Sequence, residues 1–102
     1  MTIYKILING KMLYGENYLE IKSPLNNEIV GAIPALEKKE VDYAFQSARK
    51  AFPKWASLLP KERIEYILEF KKILIREQNF LAFKMVEEIS KTYDDCILEI
   101  QR

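Results

Sequence analysis

The spacing of hydrophobic residues changes near residue 35, and this change limits the folds that the chain can adopt. Before that point, apolar residues such as Leu19 and Ile21 alternate with polar neighbours, which is typical of a half-buried strand. After it, apolar residues recur three and four positions apart, which is typical of a helix. The sequence therefore predicts an α+β chain, with a small antiparallel β unit over residues 1–34 and a helical region over residues 35–102.

Asn9-Gly10 predicts a hairpin in the β unit. The pair separates two runs of apolar and β-branched residues, and a type I′ turn needs a positive φ at both of its central positions. Further strands are predicted over residues 18–22 and 29–33, with a loop between them, and Pro34 is expected to end the second.

The helical region is predicted to contain three to four helices. The first spans residues 37–51, with Glu37 near its N-cap. Pro53 is expected to end it, because the residue before a proline is disfavoured in a helix. Pro60 suits the first position of the next helix, where its missing N–H is unpaired in any case.

From Pro60 the pattern stays helical to about Lys91, and the polar residues 77–79 mark a possible break, with Asn79 as the cap of a new helix. Thr92 or Asp94 begins a last helix. The region is apolar on more than one face, so it needs cover from more than one side. Neither the small β unit nor the short first helix provides that cover, which indicates that the chain is part of a longer protein.

The composition excludes several classes of function. The chain has no His and a single cysteine, Cys96, so it carries no Ser-His-Asp, Cys-His or His-metal site and no internal disulfide. Its net charge of +1 gives no general attraction to nucleic acid. Apolar runs are too short to cross a membrane, and the lone cysteine fits a reducing cytoplasm.

Other candidate sites have simple structural interpretations. The acidic residues Glu87, Glu88, Asp94 and Asp95 are interpreted as a solvated face. Cys96 has acidic neighbours that oppose a thiolate, so it is interpreted as an unreactive or buried thiol. The aromatic pair Phe52 and Trp55, at a helix corner, is interpreted as packing rather than as a ligand-stacking surface.

Five segments resemble, in order and spacing, the motifs at the start of aldehyde dehydrogenases. They are residues 8–11 (INGK), 23–30 (SPLNNEIV), 41–55 (VDYAFQSARKAFPKW), 60–68 (PKERIEYIL) and 88–91 (EISK). Three departures stand out: Ser23 replaces an Asn before the proline, while Asn27 and Ser90 each replace a Gly. Residues 87–93 resemble the non-phosphorylating NADP-dependent glyceraldehyde-3-phosphate dehydrogenase branch.

The resemblance implies that the chain is the N-terminal part of an α/β nucleotide-binding domain. In that family a cysteine thiolate attacks an aldehyde, a hydride passes to NAD or NADP, and water releases the acid. The nucleophile, the general base and the cofactor-binding residues come later in the family's sequence. The resemblance therefore implies no catalytic and no cofactor-binding residue in this chain, and no cofactor bound to it alone.

One site does transfer through the resemblance. Many members hold a monovalent cation with a backbone carbonyl before the loop that contains Pro24 and with an acidic residue of the segment at 88–91. The matching positions are Ile21 or Lys22 and Glu88, which offer the oxygen ligands that hard cations prefer. A third ligand would come from beyond residue 102, so we expect an incomplete site in this chain.

Two kinds of partner are expected. As part of an aldehyde dehydrogenase, the chain packs on the remaining domains of the enzyme, and alone it self-associates through its long helices or its hairpin. The alternative is a free-standing helical interaction module, in which the apolar line of Tyr66, Ile73 and Phe80 recruits another protein.

Overall fold

The computed structural model describes residues 1–102, in which strands precede helices, and this order confirms the predicted α+β class. Contacts divide the chain into two compact units. Unit 1 comprises Met1–Ile21 and Ile29–Leu59, and unit 2 comprises Lys22–Glu28 and Pro60–Arg102. No helix combines the length and the apolar character that crossing a membrane would require.

The strands form two small sheets. They are β1 (Thr2–Ile3), β2 (Ile6–Ile8), β3 (Lys11–Leu13), β4 (Asn17–Lys22) and β5 (Ile29–Ala35). Strands β2 and β3 pair antiparallel, with Ile8 opposite Lys11. The turn between them has φ of 52° at Asn9 and 73° at Gly10, which confirms the hairpin predicted from this pair.

The other sheet has the strand order β1-β5-β4, and its β1–β5 pair is parallel. This pair differs from the antiparallel unit predicted for residues 1–34. Strand β5 also continues through Pro34 to Ala35, so the predicted end at Pro34 is wrong. Thr2 lies opposite Gly31, where an added Cβ would lie 2.9 Å from the Tyr4 ring and 3.2 Å from the Thr2 carbonyl oxygen. Glycine at this position thus lets β1 approach β5 closely. Alternating hydrophobicity identifies a strand but does not identify a partner that is distant in sequence.

Helix α1 (Lys38–Ser57) begins as predicted but does not end at Pro53. Its N-cap is Glu37, whose N–H donates to the Glu40 carboxylate. The helix continues through Pro53 for another turn, so the predicted end is wrong. Proline removes one backbone hydrogen bond from a helix. Because Pro53 lies near the end of a long helix, the turns before it keep their backbone hydrogen bonds. The helix ends where the Leu58 N–H donates to the Trp55 carbonyl at 3.2 Å.

Three helices follow: α2 (Pro60–Arg76), α3 (Gln78–Ile89) and α4 (Tyr93–Gln101). The predicted break is present, but Glu77 rather than Asn79 is the N-cap of α3. Asn79 lies inside α3, where its side-chain oxygen accepts a hydrogen bond of 2.7 Å from the Tyr93 hydroxyl. Of the two predicted starts for the last helix, Thr92 is the one observed, because its hydroxyl oxygen accepts from the Asp95 N–H.

Few side chains are fully buried. Ile8 and Ala32 are buried in unit 1, and Ala82, Cys96 and Ser23 in unit 2, whereas α1 and α2 contain no buried residue. Phe52 is 65% exposed and Trp55 is 39% exposed, so neither ring is buried within the chain. The packing expected from this aromatic pair is therefore not completed by residues 1–102.

The end of α3 provides a first test of these local structures. Ser90 is the C-cap, with φ of 58° and ψ of 27°, a left-handed conformation that costs most L-residues about 1 kcal/mol. We expect Ser90→Gly to raise the free energy of unfolding by about 1 kcal/mol in urea titrations followed by circular dichroism. The matched variant is Ser90→Ala, which keeps a Cβ. Equal stability of the Gly and Ala variants would contradict relief of backbone strain.

The start of α4 provides a second test. Thr92→Ala removes the oxygen that accepts from the Asp95 N–H, at 3.3 Å. We expect the free energy of unfolding to fall by about 1 kcal/mol, because an amide at the helix start loses its acceptor. Thr92→Ser keeps a hydroxyl and is expected to retain most of the stability. A Ser variant as unstable as the Ala variant would indicate that the methyl group, and not the cap, matters.

Candidate functional site

The chain has few of the side chains that carry nucleophilic catalysis. The sequence has no His, and the thiol of Cys96 is free and fully buried in α4. This burial agrees with the interpretation of Cys96 as a buried thiol, because a nucleophilic thiol must reach its substrate. No group of three or more acidic, cysteine or histidine side chains comes together as a metal site.

Charged side chains of unit 2 lie on α4 and just before it. The ammonium group of Lys91, just before α4, forms an ion pair with the Glu99 carboxylate. The hydrogen bond and the charge of Glu99 raise the pKa of the exposed Lys91 side chain. Asp94 and Asp95 lie in the first turn of α4, where negative charge favours the helix dipole. Because both are exposed, the solvated interpretation of this part of the acidic cluster is supported.

A second polar contact in unit 1 was not anticipated from the sequence. The Asn9 side-chain amide in the hairpin turn donates to the Tyr43 hydroxyl oxygen of α1 at 3.2 Å. This hydrogen bond lowers the pKa of Tyr43, with smaller contributions from Ser47 and the nearby Lys11. Asn9 therefore shapes the turn and also joins it to a helix, and only the first of these roles has a local sequence signal.

The residues of the candidate cation site lie in different units. Ile21 is a half-buried residue of β4 in unit 1, whereas Lys22, the last residue of β4, and Glu88, near the end of α3, belong to unit 2. The Glu88 side chain is half-buried and takes part in no ion pair, while the adjacent Glu87 pairs with Lys84 at 3.5 Å. A carboxylate without a positive partner fits the oxygen ligands that a hard cation prefers.

Unit 2 also contains a pocket of about 420 Å³ between the ends of α2 and α4. It is lined by Lys71, Leu74, Ile75, Gln78, Ile100, Gln101 and Arg102. These side chains include no acid, thiol or imidazole.

The family model of the aldehyde dehydrogenases matches residues 13–102. The NADP-dependent glyceraldehyde-3-phosphate dehydrogenase of Streptococcus equinus is 32% identical over 99 residues, which are 97% of this chain and 21% of that protein. Malonate-semialdehyde dehydrogenase 1 of Geobacillus kaustophilus is also 32% identical, over 99% of this chain and 21% of that protein. The chain thus spans about a fifth of the length of these relatives.

Solved structures agree with this match. The NADP-dependent glyceraldehyde-3-phosphate dehydrogenase of Bacillus halodurans, complexed with NADP, superposes with a TM-score of 0.95 at 24% identity, over 99% of this chain and 22% of that one. A putative methylmalonate-semialdehyde dehydrogenase from Sinorhizobium meliloti, complexed with NAD, has a TM-score of 0.89 at 30% identity, over 100% of this chain and 21% of that one. The chain belongs to the aldehyde dehydrogenase family, and it corresponds to the N-terminal segment of these enzymes.

Proposed function

We propose that the chain is the structural N-terminal portion of an NAD(P)-dependent aldehyde dehydrogenase whose complete form oxidises an aldehyde to a carboxylic acid. The observation that carries this proposal is the family match over residues 13–102, in relatives about five times as long as the matched part. The nicotinamide supplies the hydride acceptor in such an enzyme. In this proposal the residues of this chain provide packing around the cofactor domain, because the resemblance implies that the family's nucleophile and general base come later in the sequence.

The proposal names a reaction class rather than one aldehyde. The two relatives at 32% identity are named for different substrates, glyceraldehyde 3-phosphate and malonate semialdehyde. The segment at residues 87–93 favours the NADP-dependent glyceraldehyde-3-phosphate dehydrogenase branch. The side chains that select a substrate or a cofactor lie outside residues 1–102 in this proposal.

The remaining domains of the enzyme are the proposed partners of the exposed apolar side chains. Leu68 and Ile75 of α2 and Ile89 of α3 are all exposed, although each lies on a line of apolar residues. If a further part of the protein packs on these side chains, their apolar surface is removed from water. This removal is the main favourable contribution to the free energy of packing. The proposed compartment is the cytoplasm, where the lone thiol of Cys96 stays reduced.

A monovalent-cation site is also proposed for the complete enzyme. The Glu88 carboxylate and the backbone carbonyl of Ile21 or Lys22 would supply oxygen ligands, and a third would come from the rest of the protein. The half-buried, unpaired carboxylate of Glu88 supports this assignment.

A chimera tests the proposed role. This chain replaces the matching 99-residue segment of the Streptococcus equinus enzyme. Glyceraldehyde 3-phosphate is the substrate, and NADPH formation is followed by the absorbance of the reduced nicotinamide at ~340 nm. We expect the chimera to turn over, the host without its N-terminal segment to be inactive, and the 102-residue chain alone to form no NADPH. Turnover by the chain alone would contradict the absence of catalytic groups.

A folded but inactive chimera would contradict the scaffold role, so its folding is checked by circular dichroism and gel filtration. Reading the transcript beyond Arg102 provides an independent measurement. A continuing frame with a downstream cysteine motif supports the proposal, and a stop codon directly after Arg102 supports the free-standing interaction module.

The cation site is tested in the active chimera. Glu88→Gln keeps the size of the side chain but removes the charge that attracts a cation. We expect K⁺ to raise the melting temperature of the parent chimera and to have a much smaller effect on the variant. Glu87→Gln is the matched control, because Glu87 pairs with Lys84 instead. Equal K⁺ responses of the parent and of Glu88→Gln would remove Glu88 from the site.

A further inference from the structure

The hairpin turn of unit 1 places an exposed side-chain amide next to an exposed glycine. Asn9 and Gly10 form the only Asn-Gly pair in the sequence, and both residues are exposed. A Cβ added at Gly10 would meet no atom within 4 Å, so the space around this residue is open. The hydrogen bond of a β-turn joins the two flanking residues, here Ile8 and Lys11, and does not use the Gly10 amide. The Gly10 nitrogen is therefore accessible and is not engaged by the turn.

An asparagine that precedes an accessible glycine is able to lose its amide group without an enzyme. The Gly10 nitrogen forms a bond to Cγ of Asn9, the bond from Cγ to Nδ2 breaks, and ammonia leaves with the Gly10 proton. Water then opens the five-membered imide at one of its two ring C–N bonds, which gives aspartate or isoaspartate at position 9. Glycine favours the ring closure, because it has no Cβ to obstruct it and its backbone rotates easily.

The Asn9 amide is held by a neighbouring helix in the folded chain. Its Nδ2 donates to the Tyr43 hydroxyl oxygen of α1 at 3.2 Å, and both residues belong to unit 1. To close the imide ring, the side chain must turn its Cγ onto the Gly10 nitrogen within its own turn. This rotation gives up the hydrogen bond to α1, so the bond opposes the reaction.

We propose that Asn9 is a site of spontaneous deamidation and that its hydrogen bond to Tyr43 slows the reaction in the folded chain. Solvent water is the only other reactant, and both residues of the pair are exposed to it. The reaction uses no residue of the cation site and does not depend on the proposed enzyme activity.

The two products have different effects on the hairpin. Aspartate before glycine suits a type I′ turn, and its carboxylate accepts a hydrogen bond for which the Tyr43 hydroxyl becomes the donor. The Asn9 hydrogen bond is the main cause of the lowered pKa of Tyr43, and the charges of Lys11 and Lys50 add to it. A carboxylate at position 9 is therefore near positive charge. Isoaspartate instead adds a methylene group to the main chain, which disturbs the pairing of Ile8 with Lys11.

Mass spectrometry of peptides from the aged 102-residue chain tests the proposed site. The chain is kept at neutral pH and body temperature, and electron-transfer fragmentation distinguishes aspartate from isoaspartate. We expect Asn9 to convert faster than the four other asparagines, which are also exposed: Asn17, Asn26, Asn27 and Asn79.

Asn27 is the matched internal control. Like Asn9 it is exposed and has a positive φ, but the next residue is Glu28, which has a side chain. The Glu28 amide is also engaged, because it donates to the Asn26 side-chain oxygen at 3.1 Å. Conversion at Asn9 that is no faster than at Asn27 would overturn the proposed site.

The role of the hydrogen bond is tested with Tyr43→Phe, which keeps the ring and removes the hydroxyl. We expect Asn9 to deamidate about threefold faster in this variant, as the loss of one exposed neutral hydrogen bond implies. The matched control is Tyr14→Phe, which removes the hydroxyl of another exposed tyrosine of unit 1 and is expected to leave the rate unchanged.

Two results would overturn the protective role of the Tyr43 hydroxyl. One is an equal rate at Asn9 in the unchanged chain and in Tyr43→Phe. The other is a parallel acceleration at Asn27 in the same sample, because that result would indicate a general loosening of the chain. Circular dichroism checks that both tyrosine variants keep their helices.

Discussion

The packing of α3 against α4 is the contact on which unit 2 depends. Ala82 and Cys96, one from each helix, are both fully buried, and small side chains at such positions let two helices approach closely. The chain passes from the first helix to the second within residues 90–92. The left-handed Ser90 ends the first helix and the Thr92 hydroxyl begins the second, so the connection is specified by two helix terminations rather than by a long loop.

Helices α1 and α2 are not stabilised by buried side chains, because neither contains a buried residue. Their backbones are specified by local signals, such as the Glu37 cap and the proline at the start of α2, and their apolar faces contribute little to stability until something covers them. A chain that matches about a fifth of its relatives can therefore reproduce their backbone closely, with a TM-score of 0.95, while burying few of its own side chains.

The sequence predicted the features that depend on neighbouring residues. Asn9-Gly10 indicated the hairpin, and Thr92 was one of two predicted starts for α4. The features it missed depend on longer-range effects. The parallel β1–β5 pair joins strands that are distant in sequence, and helix α1 continues past Pro53 because the hydrogen bonds of a long helix outweigh the one that proline removes. Asn79 is predicted as a cap, but its side-chain oxygen instead accepts a hydrogen bond from Tyr93 of α4.

Two turns of the chain keep a left-handed backbone although neither has the glycine that favours it. The resemblance to aldehyde dehydrogenases places glycine at the positions of Asn27 and Ser90, close in sequence to the proposed ligands Lys22 and Glu88. Both substituted residues keep a positive φ, 61° at Asn27 and 58° at Ser90, which glycine would adopt without strain. In the loop of Asn27, the Ser23 N–H donates to the Glu28 carbonyl at 2.9 Å, which closes the turn after β4. Asn tolerates this conformation, because its short polar side chain can bond locally, so the backbone strain of these two turns is concentrated at Ser90.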